Sequence, residues 1–110
     1  MLREAQKVLN TGIRVTNHCL VRLGERHEGE VTMISANRQK SILETILKEV
    51  RRSNCWYDTE KEDFYLIYNQ LRVYIGKVVD GKLQIVTEYP YTKPIKGRLS
   101  KLQRIKNPCH

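Results

Sequence analysis

No stretch of this chain is long and apolar enough to span a bilayer. Its longest uncharged runs, such as YLIYNQL, fall far short of the roughly 20 residues a membrane helix needs. The opening MLREAQKVLN mixes charged and apolar side chains and lacks the continuous hydrophobic region of a secretion signal. Cysteine is scarce: Cys19, Cys55 and Cys109 show no CxxC spacing and cannot all pair within one chain. That suits a reducing compartment better than a disulfide scaffold. Ligand spacing for a metal is also missing, and Cys109-His110 alone makes no ligand set. The expectation is a cytoplasmic protein with no membrane contact, no metal and no cofactor.

Acids are absent from Tyr91 to His110, where six cations stand: Lys93, Lys96, Arg98, Lys101, Arg104 and Lys106. Residues 1–90 hold the other 14 Lys and Arg against all 12 Asp and Glu, so they carry only +2 of the net +8. Such a basic segment either pairs with phosphates through counterion release or is a solvated extension. At 110 residues, 40% hydrophobic and 29% charged, the chain has the size and composition of one folded domain with one modest core. The expected division is a single α+β domain over 1–92 and a basic C-terminal arm over 93–110.

Periodicity supplies the elements. REAQKVLN reads as a short N-terminal helix stopped at Asn10-Thr11-Gly12, and GIRVT as extended. Asn17 can cap a helix running to about Glu28, which Gly29 can end. Ile42, Leu43, Ile46, Leu47 and Val50 recur at helical spacing between Asn37 and Arg52, with Ser35 as a plausible cap and Glu44-Lys48 as an i,i+4 pair. Strands are expected near 55–57, 63–68 and 71–79, with a tight turn at Asn69-Gln70. A hairpin turn at Asp80-Gly81 then leads into KLQIVTEY. The predicted fold is α+β, with N-terminal helices packed on one face of a three- to four-stranded antiparallel sheet. Strict alternation puts Leu83, Ile85, Thr87 and Tyr89 on one face of the last strand, a face turning from apolar to hydroxyl toward one end.

The chemistry-bearing stretch is TNHCLVRLGERHE, where His18, Arg22 and Arg26 recur every four residues along one slanted helical stripe. A histidine near neutral pH exchanges protons, and an arginine one turn away can grip two phosphate oxygens. Metal-free RNA transesterification needs such groups. A base takes the 2′-hydroxyl proton, an acid protonates the leaving 5′-oxygen, and a cation offsets charge on phosphorus. The same stripe also reads as solvated surface, and Arg26 can pair with Glu30 instead. Tyr74, Tyr89 and Tyr91 could stack bases of a single strand, whereas Tyr65 and Tyr68 read as sheet residues.

RVTNHCLVRLGER, an amphipathic helix and DFYLIYNQLRVYIGKVVDGKLQIVTEYPY together resemble the RelE-like (barnase–colicin–RelE) ribonuclease superfamily, including phage endoribonucleases of the RegB type. The resemblance covers roughly residues 13 to 92, and the ending IVTEY matches the family's final strand. It implies a metal-independent endoribonuclease of toxin or phage type that cleaves single-stranded RNA to 2′,3′-cyclic-phosphate ends. His18 would be its general acid/base, Arg22 its phosphate ligand, and Thr87 and Tyr89 would orient substrate. Arg26, Tyr91, Lys93, Lys96, Arg98, Lys101 and Arg104 are the candidate RNA contacts. The implied partners are RNA, ribosome-associated in some relatives, and an acidic inhibitor of antitoxin type. The link GEVTMISANRQ is longer than the pattern, and the basic arm lies outside it. From the residues alone, a nucleic-acid-binding module without turnover or a protein docking on an acidic partner stands beside the enzyme reading.

Overall fold

A computed structural model describes residues 13–28 and 36–107, with side chains over 13–23 and 39–107. The chain order is β1 (Ile13–Val15), α1 (Asn17–Glu28), α2 (Ala36–Arg51), β2 (Asn54–Asp58), β3 (Asp63–Tyr68), β4 (Arg72–Val79), β5 (Lys82–Pro90), α3 (Lys93–Leu99) and β6 (Gln103–Ile105). The helix expected within REAQKVLN, the Ser35 cap and the Cys109-His110 pair lie outside the described residues. Among the described residues no helix is long and apolar enough to cross a membrane.

The architecture is α+β, but the sheet is larger than alternation predicts. Six strands run in the order β1-β5-β4-β3-β2-β6, and β1 lies parallel to β5, so the sheet is mixed rather than a three- to four-stranded antiparallel one. The two added edges are three residues each. A period-two pattern cannot declare itself over so short a run. Each edge is instead held by a longer neighbour, β1 by β5 and β6 by β2.

The basic segment beyond Thr92 is thereby part of the fold. Pro94 sits at the start of α3, where a missing N–H costs nothing because that donor has no helical partner anyway. The segment ends on α2: the Asn107 side-chain amide donates to the carbonyls of Val50 at 2.9 Å and Ser53 at 2.7 Å. The Asn107 amide thereby closes the last turn of α2 and the bend that follows it, where the Ser53 N–H also donates to the Val50 carbonyl at 3.2 Å.

Local chemistry sets the turns and the start of α1. Asp80 and Gly81, with φ of 51° and 73°, are the left-handed pair of a two-residue hairpin between Val79 and Lys82. Asn69 and Gln70, with φ of 48° and 56°, instead open a three-residue connection that Leu71 completes before Arg72. Thr16, rather than Asn17, caps α1. Its hydroxyl accepts from the Cys19 N–H at 3.2 Å and donates to the Val86 carbonyl at 3.0 Å. Asn17 is already the first helical residue, so the capping position falls one residue earlier.

Directly paired residues of neighbouring strands share a face, so the register lays out both sides of the sheet. On the first face, Cys55, Leu66, Tyr74 and Glu88 form one row and Tyr57, Phe64, Gly76 and Ile85 the next. Cys19 and Leu23 of α1 and Ile42, Ile46 and Val50 of α2 pack there into the main core. On the second face, Arg104, Trp56, Tyr65, Ile75 and Thr87 form a row beside Asn54, Ile67, Val73 and Tyr89. A smaller core of Tyr65, Ile67, Val73 and Ile75 lies there under Leu99 and Ile95 of α3.

A bulge in β5 corrects the alternation reading. Ile75 pairs with Thr87 and Gly76 with Ile85, so Val86 is an extra residue. Leu83 and Ile85 face the helices, whereas Thr87 and Tyr89 turn to the other side and Glu88 joins the first face. The Thr16 hydroxyl on the Val86 carbonyl ties this irregularity to the start of α1.

Candidate functional site

The bulge decides where the predicted site residues fall. His18 is exposed and Arg22 half-buried on α1, over the first face. Thr87 is half-buried and Tyr89 exposed on the second face. The four residues expected to act together therefore come from opposite sides of the sheet. The side chains of Arg26 and His27 lie outside the described residues.

Beneath α1 and α2 the first face holds a polar cluster that periodicity did not single out. Glu49, 5% exposed, accepts from Arg72 Nε at 2.8 Å, from Arg72 Nη2 at 2.9 Å and from the Tyr74 hydroxyl at 2.7 Å. The bidentate pairing raises the Arg72 pKa, chiefly through the hydrogen bond to Glu49. Burial, followed by the bond to Glu49, pushes the Tyr74 phenol well up. Burial and then the nearby Glu88 push the Cys19 thiol up to about 12. Cys19 and Cys55 are both free and buried. Glu49 is buried and its carboxylate is taken up by Arg72 and Tyr74 of the neighbouring strand, so the cluster ties α2 to β4. Its sequence signal was legible: Glu49 sits three residues after Ile46 on the stripe of Ile42 and Ile46, and Arg72 and Tyr74 are two apart on a strand.

The second face opens to solvent between α3, β6 and the end of α2. A groove of about 630 Å³ runs there. Arg52, Lys96 and Arg104 supply three cations and no acid lines it. Trp56 and Tyr91 supply aromatic surface, and Asn54, Asn69 and Gln70 supply amides. A neighbouring groove of about 680 Å³ is as large, but Asp58 and Glu60 line it together with Lys61, Arg98 and Lys101. Size does not separate the two grooves. Charge does: among the described residues the first is lined by cations without carboxylates. So is a smaller adjoining groove of about 450 Å³ that shares Arg52 and Arg104 and adds Lys106.

Each groove residue is positioned for a local reason. Trp56 and Arg104 are register partners on β2 and β6, and the guanidinium carbon lies 5.3 Å from the indole centroid, within cation–π range. Arg104 Nη2 also donates to Asn54 Oδ1 at 3.2 Å. Asn69 and Gln70 reach the groove because their left-handed turn projects beyond the sheet. Tyr91 is fixed where its N–H donates to the Leu71 carbonyl at 3.0 Å.

Of the candidate RNA contacts, Tyr91, Lys96 and Arg104 thus converge. Lys93 is exposed at the start of α3, and Lys101 lines the mixed-charge groove. Arg98 lines that second groove too and donates to the Tyr65 hydroxyl at 3.2 Å. Sequence reading missed Arg52, Asn54, Asn69 and Gln70 as lining residues and left Trp56 without a role. The shared parity of Asn54 and Trp56 was available, but the closing strand β6 was not. Among the described residues no group of three or more His, Cys, Asp or Glu could hold a metal ion. No family model, curated relative or solved structure matches this chain.

Proposed function

We propose that this protein binds single-stranded RNA along the groove of the second face. One observation carries the reading: three cations, two aromatic side chains and three amides line one open groove without a carboxylate. Phosphates meet the cations, and bases meet aromatic surface, which is how single strands are held without a sequence code. The test is binding of an end-labelled, mixed-sequence RNA, read by anisotropy at several salt concentrations. Wild type should bind with steep salt dependence, and Arg52→Glu/Lys96→Glu should weaken binding by at least about tenfold. Unchanged binding by that double variant would overturn the reading.

A second reading is metal-independent cleavage of RNA at α1, on the side of the sheet opposite the groove. It is favoured by the exposed His18 imidazole in the first turn of α1, one turn from Arg22. Thr87 and Tyr89 lie on the face of β5 opposite the one on which α1 packs. RNA incubated with protein in EDTA, with and without ribosomes, should yield cyclic-phosphate ends with wild type and none with His18→Ala. Cleavage by the variant at the wild-type rate would sink it. An acidic protein that displaces RNA from the groove is the partner such an enzyme would require.

A further inference from the structure

The RNA-binding reading leaves open what part of a nucleotide the groove recognises. The geometry points to a base-stacking site built on the guanidinium of Arg104, so that the groove selects nucleotides by their base and not only by their phosphate. This inference rests on the RNA-binding reading.

Trp56 is half-buried against the smaller core of the second face, so one side of its indole is committed to packing. Arg104 lies over the ring at 5.3 Å. A base cannot reach that indole face without displacing a cation–π contact. The guanidinium is itself planar, however, and its edge is held by the bond to Asn54 Oδ1. Arg104 is an exposed residue on the edge strand. A planar cation held from beneath by an aromatic ring and along one edge by an amide is a ready platform, since bases stack on arginine planes as they do on aromatic rings. The result is a three-layer stack of base, Arg104 and Trp56.

The remaining lining residues complete a nucleotide site. Arg52 and Lys96 offer charge to the flanking phosphates. Asn69 and Gln70 bring amides, which both donate and accept, to the rim where a base edge would lie. The recognised unit is therefore a nucleobase with an adjacent phosphate. A polyanion without bases engages Arg52 and Lys96 but leaves the stack unformed.

The chain holds one tryptophan, so indole fluorescence reports on the stack directly. The experiment titrates wild type, Arg104→Lys and Arg104→Ala with a short single-stranded RNA and with an abasic oligomer of the same length. Wild type should prefer the base-bearing strand by about tenfold, with a change in Trp56 emission that the abasic oligomer does not produce. Arg104→Lys keeps the charge and loses the plane, so it should bind both oligomers within about twofold of each other. Arg104→Ala should lose the preference as well and bind both more weakly. Equal binding of the two oligomers by wild type, or full preference in Arg104→Lys, overturns the stack while leaving RNA binding intact. Failure of both oligomers to bind overturns the RNA reading and the inference together. A mononucleotide that competes as well as the oligomer retains the stack and reassigns the groove to a free nucleotide, which overturns the RNA reading alone.

Discussion

The two faces of the sheet use charge in opposite ways. On the first, Glu49, Arg72, Tyr74 and Glu88 sit under two helices, and Glu49 alone takes three short hydrogen bonds. On the second, Arg52, Lys96 and Arg104 stand at the rim of an open groove that no carboxylate lines. The buried Glu49 carboxylate, taken up by three hydrogen bonds, fixes the packing of α2 on β4. Rim cations keep their hydration in the free protein and can exchange it for phosphate. The difference separates a stability device from a binding device, although both are rich in polar side chains.

The largest effect should come from breaking the first face. Glu49→Leu takes the partner from the half-buried Arg72 guanidinium and strands the fully buried Tyr74 hydroxyl, a loss of about 1–3 kcal/mol. Urea unfolding followed by circular dichroism should show that loss, while the folded fraction still binds RNA. A loss below about 1 kcal/mol would show that the network is not what anchors α2.

Alkaline pH probes the same face. In the folded chain the Cys19 thiol is pushed up from 9.0 to about 12, first by burial and then by Glu88. Above pH 9 the unfolded chain gives up that proton while the folded chain keeps it, so the unfolded state binds fewer protons. Stability is therefore complete below pH 9 and falls as pH rises toward 12, by up to about 4 kcal/mol. The raised Tyr74 phenol acts in the same direction. Cys19→Ala should flatten the decline measured between pH 8 and 11. A slope unchanged by that substitution would assign the decline to other groups.

The same contrast explains what could be read from the residues alone. Both tight turns, the long strands and α2 were legible because Asn69-Gln70, Asp80-Gly81 and the Ile42–Val50 stripe are local signals. Of the edges, β1 was legible as the extended GIRVT but its parallel pairing with β5 was not, and β6 was not legible at all because it forms only by pairing with β2. The bulge was invisible for the same reason. The Thr16 hydroxyl that bonds the Val86 carbonyl there is 70 residues away, and no period within KLQIVTEY reports the bulge. That one extra residue, Val86, puts Thr87 and Tyr89 on the face of β5 opposite Leu83 and Ile85. The basic run beyond Thr92 was correctly seen as charge, but its folding against Trp56 and the end of α2 could not be seen. Its charge therefore marked half the groove, and the fold supplied Arg52, Asn54, Asn69 and Gln70.

The smallest predicted effect separates location from charge. Lys48 and Lys96 are both exposed lysines on helices. Lys48 lies on α2 one turn after Glu44, and Lys96 lines the acid-free groove. If net charge alone attracted RNA, Lys48→Gln and Lys96→Gln would weaken binding equally, because each removes one positive charge. If the groove is the site, only Lys96→Gln removes a phosphate contact. The plot of log affinity against log salt should then become shallower by about 0.7 for that variant and stay within error of wild type for Lys48→Gln. Affinity at a single salt concentration is the weaker measure, since losing any cation lowers long-range attraction a little. The slope counts released counterions, and it changes only where a lysine meets a phosphate. Equal slopes for the two variants would erase the distinction between the faces as far as binding is concerned.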